Sequence, residues 1–395
     1  MNPLWLTHYT ATSSIGRGLD QTLSALQGLR SGLNPCRFDT VDLETFIGEV
    51  AGLDEVRLPS HLSEYDCRNN RLAWLGLLQD GFEQAVRDAI KKYGRHRIGV
   101  FIGTSTSGIL QTELAYRRRD SETGALPDDF IYRTTHNTYS VADFVRRHFE
   151  FSGPSAAISS ACSSSAKVFG SARRMMEAGL IDAAVVGGVD SLCLTTLYGF
   201  NSLELLSKEP CRPYDARRNG LSIGEAAAFA LLEKSPQDED DIMLLGIGES
   251  SDAYHMSSPH PEGLGAKIAM QDALRMANLQ PSDIDYINLH GTATPSNDAA
   301  EGIAVQALFG KDTPCSSTKG ATGHTLGAAG GMEAAISALA LKHSLMPAGL
   351  NTKQIDPALQ LDYLLENRER KIHRVLSNSF GFGGTNCSLI FGRSA

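Results

Sequence analysis

Apolar residues in this chain fall into short, nearly unbroken runs separated by small-residue stretches. Arg97-Ile-Gly-Val-Phe-Ile-Gly103 and Asp182-Ala-Ala-Val-Val-Gly-Gly188 have the length and continuity of strands buried on both faces. Between them, Ser163 to Ala178 predicts a helix, stopped by Gly179 where a helix end favours glycine. The pattern returns downstream, where Ile284-Asp-Tyr-Ile-Asn-Leu-His290 and Arg374-Val-Leu-Ser-Asn-Ser379 predict strands with a helix from about Leu326 to Lys342 between them. Strands alternating with helices imply parallel sheets covered by helices, an α/β fold.

The two stretches look like copies. In the first, Ser159-Ser160-Ala161 leads to Cys162 and a helix of small residues; in the second, Ser316-Ser317-Thr318 leads through Lys319-Gly-Ala-Thr-Gly to His324 and another such helix. Each continues to a strand followed by paired glycines, Gly187-Gly188 and Gly383-Gly384. An internal duplication explains this better than chance. The one charge-rich break, Ser235-Pro-Gln-Asp-Glu-Asp-Asp241, precedes the candidate strand Ile242-Met-Leu-Leu-Gly246 and reads as an exposed turn joining two halves, residues 1–236 and 237–395.

Cys162 is the first candidate for chemistry. A thiol at a helix N-terminus faces unpaired N–H groups and the positive end of the helix dipole, which favour thiolate. A buried structural cysteine fits the same position, and the local sequence leaves the two readings level. His290, at the end of a predicted strand, and His324, five residues after Lys319 in a glycine-rich turn, are each weak candidates alone. Together, a cysteine, two histidines and a lysine at strand-to-helix turns point to nucleophilic or acyl-transfer chemistry. Phe380-Gly-Phe-Gly-Gly-Thr-Asn386 is a loop whose backbone N–H groups could serve an oxyanion.

Composition narrows the field. The chain has 395 residues, with 36 Lys+Arg against 45 Asp+Glu and a formal charge of −9, which argues against a general partner among nucleic acids or anionic membranes. At 42% hydrophobic and 21% charged residues it is globular. No apolar run approaches the roughly 20 residues of a membrane span. The opening Met1-Asn2-Pro3-Leu4-Trp5 lacks the features of a signal peptide, so a cytoplasmic location is expected. Cys36, Cys67, Cys193, Cys211, Cys315 and Cys387 are scattered, without C-x-x-C spacing, and read as small buried hydrophobes rather than disulfides or metal ligands.

These segments, in this order, resemble the β-ketoacyl synthases, the elongating condensing enzymes of the thiolase fold. The resemblance rests on Ser160-Ala-Cys162-Ser-Ser, Arg212-Pro-Tyr-Asp-Ala-Arg-Arg-Asn-Gly220 with Gly224-Glu225, His290-Gly-Thr-Ala-Thr-Pro, Lys319-Gly-Ala-Thr-Gly-His324 and Asn378-Ser-Phe-Gly-Phe-Gly-Gly-Thr-Asn386, and it spans essentially the whole chain. It implies two duplicated βαβαβ-type halves in a five-layer α-β-α-β-α arrangement.

It also implies a decarboxylative Claisen condensation. Cys162 would carry an acyl chain as a thioester, and malonyl-acyl carrier protein would supply the enolate. His290 and His324 would hold the malonyl carbonyl, with Lys319 and Glu333 supporting them. The backbones of Cys162 and Phe382 would form the oxyanion hole, Phe382 also gating the acyl channel. Thr292, Thr294 and Ser257 would line the phosphopantetheine arm, and Phe380 and Thr106 the substrate pocket. The basic residues Arg68 and Arg71 would meet the acidic carrier protein. No cofactor or metal is implied, because the arm belongs to the carrier protein. The partner would be a second copy or a chain-length-factor-like homologue. A hydroxyl at Thr106, where relatives usually have glycine or an apolar residue, suggests a specialised synthase for a polyene or polyketide-like product. Two alternatives stand beside this reading: a non-catalytic chain-length factor, and a thiolase acting on coenzyme A esters.

Overall fold

The computed structural model describes residues 3–393. Ten strands carry the architecture. Those of the first half of the chain are β1 (Leu4–Ser13), β2 (Ile98–Gly103), β3 (Ser155–Ile158), β4 (Ala183–Asp190) and β5 (Ala226–Glu233). Those of the second are β6 (Ile242–Ser251), β7 (Tyr286–Asn288), β8 (Pro314–Ser316), β9 (Arg374–Gly381) and β10 (Thr385–Gly392). The first set runs β3-β2-β4-β5-β1 and the second β8-β7-β9-β10-β6. In both, the first three strands are mutually parallel and the last two join antiparallel. The duplication legible in the sequence is thus a duplication of topology. The two sets connect where β1 meets β6, through Leu4↔Leu244, Trp5↔Met243 and Leu6↔Ile242.

Helices make the other layers: α1 (Arg68–Leu77), α2 (Phe82–Tyr93), α3 (Ser140–His148), α4 (Ser164–Glu177), α5 (Leu264–Ala277), α6 (Pro295–Phe309) and α7 (Ala329–His343). α1, α2 and α3 share one core with β2 and β4, built from residues such as Leu72, Phe82, Phe144 and Val185. α5 and α6 share another with the second set, through Ala269, Ala304 and Ile287. α4 and α7 lie between the two sets in the largest core, which joins Phe169 and Ala172 to Ala334, Ala338, Val186 and Leu389. That is the five-layer order. The sequence of α7 shows why it is central: every residue from Ala329 to Leu341 is buried, and a helix that is small and apolar all round needs cover on every side. Truncating a ring such as Phe169 in that layer costs about 3–5 kcal/mol.

Element ends differ modestly from the sequence reading. The helix expected from Ser163 runs from Ser164, and the one expected from Leu326 starts with a 3-10 turn, Leu326–Ala328, before α7. The strand expected over Ile284–His290 shortens to Tyr286–Asn288, leaving His290 in the loop beyond it. Residues 234–240, which include most of the charged break, are exposed. No helix among the described residues is long and apolar enough to cross a membrane.

Candidate active site

The N-terminal ends of α4 and α7 converge. Gly330 makes this possible, since a Cβ there would stand 2.5 Å from the backbone nitrogen of Ala166. Cys162 lies just ahead of α4, on a turn whose preceding residue, Ala161, has φ 52°. A non-glycine residue in that left-handed region stores about 1–3 kcal/mol and survives only where the surroundings fix it. Ser164 does the fixing: its hydroxyl donates to Ala161 O at 2.5 Å and accepts the Ser160 N–H at 2.9 Å. The sulfur reaches the second half of the chain.

There it meets His324, whose Nε2 lies 3.0 Å from Cys162 Sγ. The ring of His290 stands nearly perpendicular to that of His324, centroids 5.3 Å apart. All three residues are buried. Lys319 Nζ donates to His290 O at 2.5 Å, pairs with Glu333 Oε1, and lies 3.4 Å from His290 Nδ1. An ammonium is only a donor, so Nδ1 is the acceptor and the imidazole proton sits on Nε2.

Charge follows burial. Both histidines are held well below their ordinary value by burial and by the Lys319 charge, so both are neutral at pH 7. Burial also pushes the Cys162 thiol up to about 11, against the Lys319 charge and the Phe382 N–H that favour thiolate. The sequence argument from the helix dipole pointed the other way; desolvation of the sulfur outweighs it. Glu333 is raised to about 7 by burial in spite of Lys319. The resting site therefore pairs a thiol with a neutral imidazole.

The rest of the cleft comes from two loops and the end of β9. Thr292 and Thr294, their hydroxyls 2.9 Å apart, line it with His290, and Ser257 lines it as well. Phe380 packs on His290 at 5.9 Å. Gly381 presses against the cysteine turn, where a Cβ would stand 3.0 Å from Ser160 O and 3.2 Å from Cys162 N. That contact brings the Phe382 N–H to the sulfur, and the Phe382 ring packs against Phe200, centroids 5.5 Å apart and tilted by 35°. The Cys162, His290 and His324 donor atoms lie within 4.8 Å of one another, close enough to clasp a metal ion, but the Lys319 ammonium hydrogen-bonded to His290 would repel a cation there.

Residues 73–238 match the family model described as beta-ketoacyl synthase, N-terminal domain, and residues 242–353 the corresponding C-terminal domain. The chain belongs to the β-ketoacyl synthase family. Its fold is that family's thiolase fold, and its chemistry is that of a condensing acyltransferase. The mitochondrial 3-oxoacyl-[acyl-carrier-protein] synthase of Arabidopsis thaliana is 33% identical to it, over 95% of this chain and 90% of the relative. The 3-oxoacyl-[acyl-carrier-protein] synthase 2 of Coxiella burnetii is 32% identical, over 98% of both. Among solved structures, the ketosynthase ApeO in complex with its chain length factor ApeC, from Xenorhabdus doucetiae, superposes with a TM-score of 0.90 and 38% identity, over 100% of this chain and 98% of that one.

Three residues of the synthase are not where the sequence reading put them. Arg68 is buried, not a surface cation: its guanidinium binds Glu225 at 2.7 and 2.9 Å and reaches Glu49 and Asp54. Arg71 is spent on Asp66, which it grips with two hydrogen bonds of 2.6 and 2.7 Å. Neither offers a free charge to an acidic partner. Thr106 is buried, its hydroxyl bound to Asp190 at 2.8 Å, and it does not line the cleft around Cys162.

Buried carboxylates that the sequence reading missed hold the synthase together. Glu301 accepts the N–H groups of His290 and Gly291, each at 2.8 Å, along with the Asn378 amide at 3.0 Å. Asp298 accepts the Tyr214 N–H at 2.8 Å, tying the Arg-Pro-Tyr-Asp segment to the His290 loop. In sequence, the one hint of these roles is the placement of acidic residues on a helix that follows the His290 motif.

Proposed function

We propose that Cys162, His290, His324 and Lys319 carry a decarboxylative condensation between an acyl thioester and malonyl-acyl carrier protein. The observation that carries this reading is the Cys162 sulfur 3.0 Å from a neutral His324, with a second neutral histidine across the same cleft. In the first half-reaction the thiol attacks the acyl carbonyl. Its proton passes to His324, whose Nε2 lies 3.0 Å from the sulfur and which is neutral and able to accept it. The bond to the carrier's thiol breaks, and that thiolate takes the proton. The tetrahedral oxyanion is received by the N–H groups of Cys162 and Phe382.

In the second half-reaction the malonyl C–C bond breaks, CO2 leaves, and the electron pair moves onto the thioester oxygen. That developing charge needs neutral hydrogen-bond donors, and His290, with its proton on Nε2, is one by the Lys319 argument above. The enolate carbon then attacks the Cys162 thioester, forming the new C–C bond and breaking the C–S bond; the released thiolate takes up one proton from solvent, its first having left on the carrier's thiol. Lys319 with Glu333 positions His290. Thr292, Thr294 and Ser257 line the path of the phosphopantetheine arm, and Phe382 gates the acyl chain. Residues 1–236 supply the nucleophile and 237–395 the histidines and gate.

The partner in this reading is acyl carrier protein, the protein works as a homodimer or with a chain-length-factor-like homologue in the cytoplasm, and it needs no cofactor of its own. The test is reconstitution with acyl- and malonyl-carrier proteins: a β-ketoacyl product and one CO2 per condensation are expected. Turnover of acetyl-coenzyme A without malonyl would instead make it a thiolase, and a chain inert with every donor would make it a chain-length factor.

A further inference from the structure

One hydroxyl-rich motif, Gly103-Thr-Ser-Thr-Ser-Gly108, has no part in the cleft. Three of its four hydroxyls converge on Asp190, the fully buried last residue of β4, and the fourth, on Ser107, donates to Asn137 O. Thr104 Oγ1 and Thr106 Oγ1 reach the carboxylate at 2.7 and 2.8 Å, Ser105 Oγ reaches it as well, and the N–H groups of Ser105 and Thr106 donate at 2.8 and 2.9 Å. The direction of the hydroxyl bonds is fixed. A carboxylate only accepts, so each hydroxyl gives its proton to Asp190, while Thr104 Oγ1 and Thr106 Oγ1 also accept the N–H groups of Ser107 and Ser191.

A sixth donor comes from the other half of the chain: the N–H of Gly327, three residues after His324, at 2.6 Å. Gly327 must be glycine for this, since a Cβ there would stand 2.7 Å from Ser105 N and 2.8 Å from the carboxylate. The loop at the other end of the tie is equally constrained. A Cβ on Gly103 would stand 2.3 Å from Ser165 N, in the first turn behind Cys162.

We propose that Asp190 is a positioning residue of the condensation: its carboxylate ties the loop behind Cys162 to the turn after His324 and so holds sulfur and imidazole in register. The proposal rests on the catalytic reading above. Asp190 also faces the sulfur electrostatically. Around Cys162 the charges are Lys319, which favours thiolate, and Asp190 and Glu333, which oppose it, while His290 and His324 are neutral. Removing the Asp190 charge therefore makes the sulfur easier to ionise while loosening the geometry. A merely structural residue would not separate those effects.

The experiment follows Cys162 alkylation by iodoacetamide against pH, together with steady-state condensation, in the full chain. In Asp190→Asn the alkylation midpoint is expected to move down by roughly half a pH unit, about threefold in rate below the midpoint, while kcat falls about tenfold or more from misplacement. Asp190→Glu, which keeps the charge and displaces it, should leave the midpoint in place and the low kcat uncorrected. An Asp190→Asn protein that keeps the wild-type midpoint, or keeps wild-type kcat, overturns the proposal. If that variant does not fold, Thr106→Val removes one donor and leaves the charge. A kcat reduced about threefold at an unmoved midpoint supports the tie, and an unchanged kcat refutes it. If the wild-type chain fails to condense, the catalytic reading fails, and alkylation still reports whether Asp190 acts on the sulfur.

Discussion

The two halves of the molecule have the same strand order and pairing, yet the corresponding turns between parallel strand and central helix do different work. In the first half, residues 159–163 make a tight turn and Cys162 sits at the mouth of α4. In the second, residues 317–328 intervene, including a helical turn at Lys319–Thr322 and the 3-10 turn at Leu326–Ala328. The extra length lifts His324 away from α7 and across to the sulfur, and it buries Lys319 beneath His290. Both turns contain a left-handed non-glycine residue, Ala161 in one and Leu326 in the other. One topology, duplicated, thus places Cys162, the proposed nucleophile, on a short turn and His324, its proposed base, on a long one. Only the joining of the halves makes a site.

Breaking the short turn has the largest expected effect. Cys162→Ala should lower condensation, measured as CO2 released from malonyl-carrier protein in step with product, by at least about 10³-fold. Within the long turn and its neighbour the two histidines should separate by step. His324→Ala should slow acyl transfer to Cys162 about 10²-fold. His290→Ala should leave that transfer within a few-fold of wild type and lower the decarboxylation step about 10²-fold. Rapid-quench measurement of each half-reaction distinguishes them, and equal losses in both steps would show that the histidines do not divide the labour.

A buried group beneath the long turn should be visible in stability. Glu333 is raised from its ordinary 4.5 to about 7 in the folded protein. The folded chain therefore holds this proton more tightly than the unfolded chain. The stability it contributes is fully present below about pH 4.5 and is lost as pH rises through 7. Glu333→Gln should flatten the dependence of Tm on pH across that window, by on the order of 1–3 kcal/mol at its ends. An unchanged slope would mean Glu333 ionises normally.

The smallest effect compares the two strained residues. Ala161→Gly relieves the left-handed conformation without removing packed atoms and should stabilise by up to about 1 kcal/mol. Leu326→Gly relieves the same strain but removes a buried side chain from its cluster with Ile223 and Leu221, so it should destabilise by about 2–5 kcal/mol. Denaturant midpoints with unchanged slopes check both.

Much of this was legible in the sequence because it is local. The run Ser163 to Ala178 carries its own helical spacing and its own stop at Gly179, and Cys162, His290 and His324 each sit in short motifs. What was misread is what sequence separation hides. Arg68 reads as a surface cation because Glu225, which neutralises it, lies 157 residues away. Thr106 reads as a pocket residue because Asp190 lies 84 residues away and consumes its hydroxyl. At Cys162 the helix that follows favours thiolate and leaves a buried structural thiol equally open in the sequence, whereas in the fold burial outweighs the helix and keeps the sulfur protonated.

Intact-mass spectrometry of the protein offered acyl-carrier protein and then malonyl-carrier protein bears most directly on the shared site. The account predicts an acyl adduct on wild type, none on Cys162→Ala, and loss of the adduct on malonyl addition as the β-ketoacyl product appears. An adduct that forms without Cys162, or one that malonyl-carrier protein leaves in place while the product forms, would contradict it.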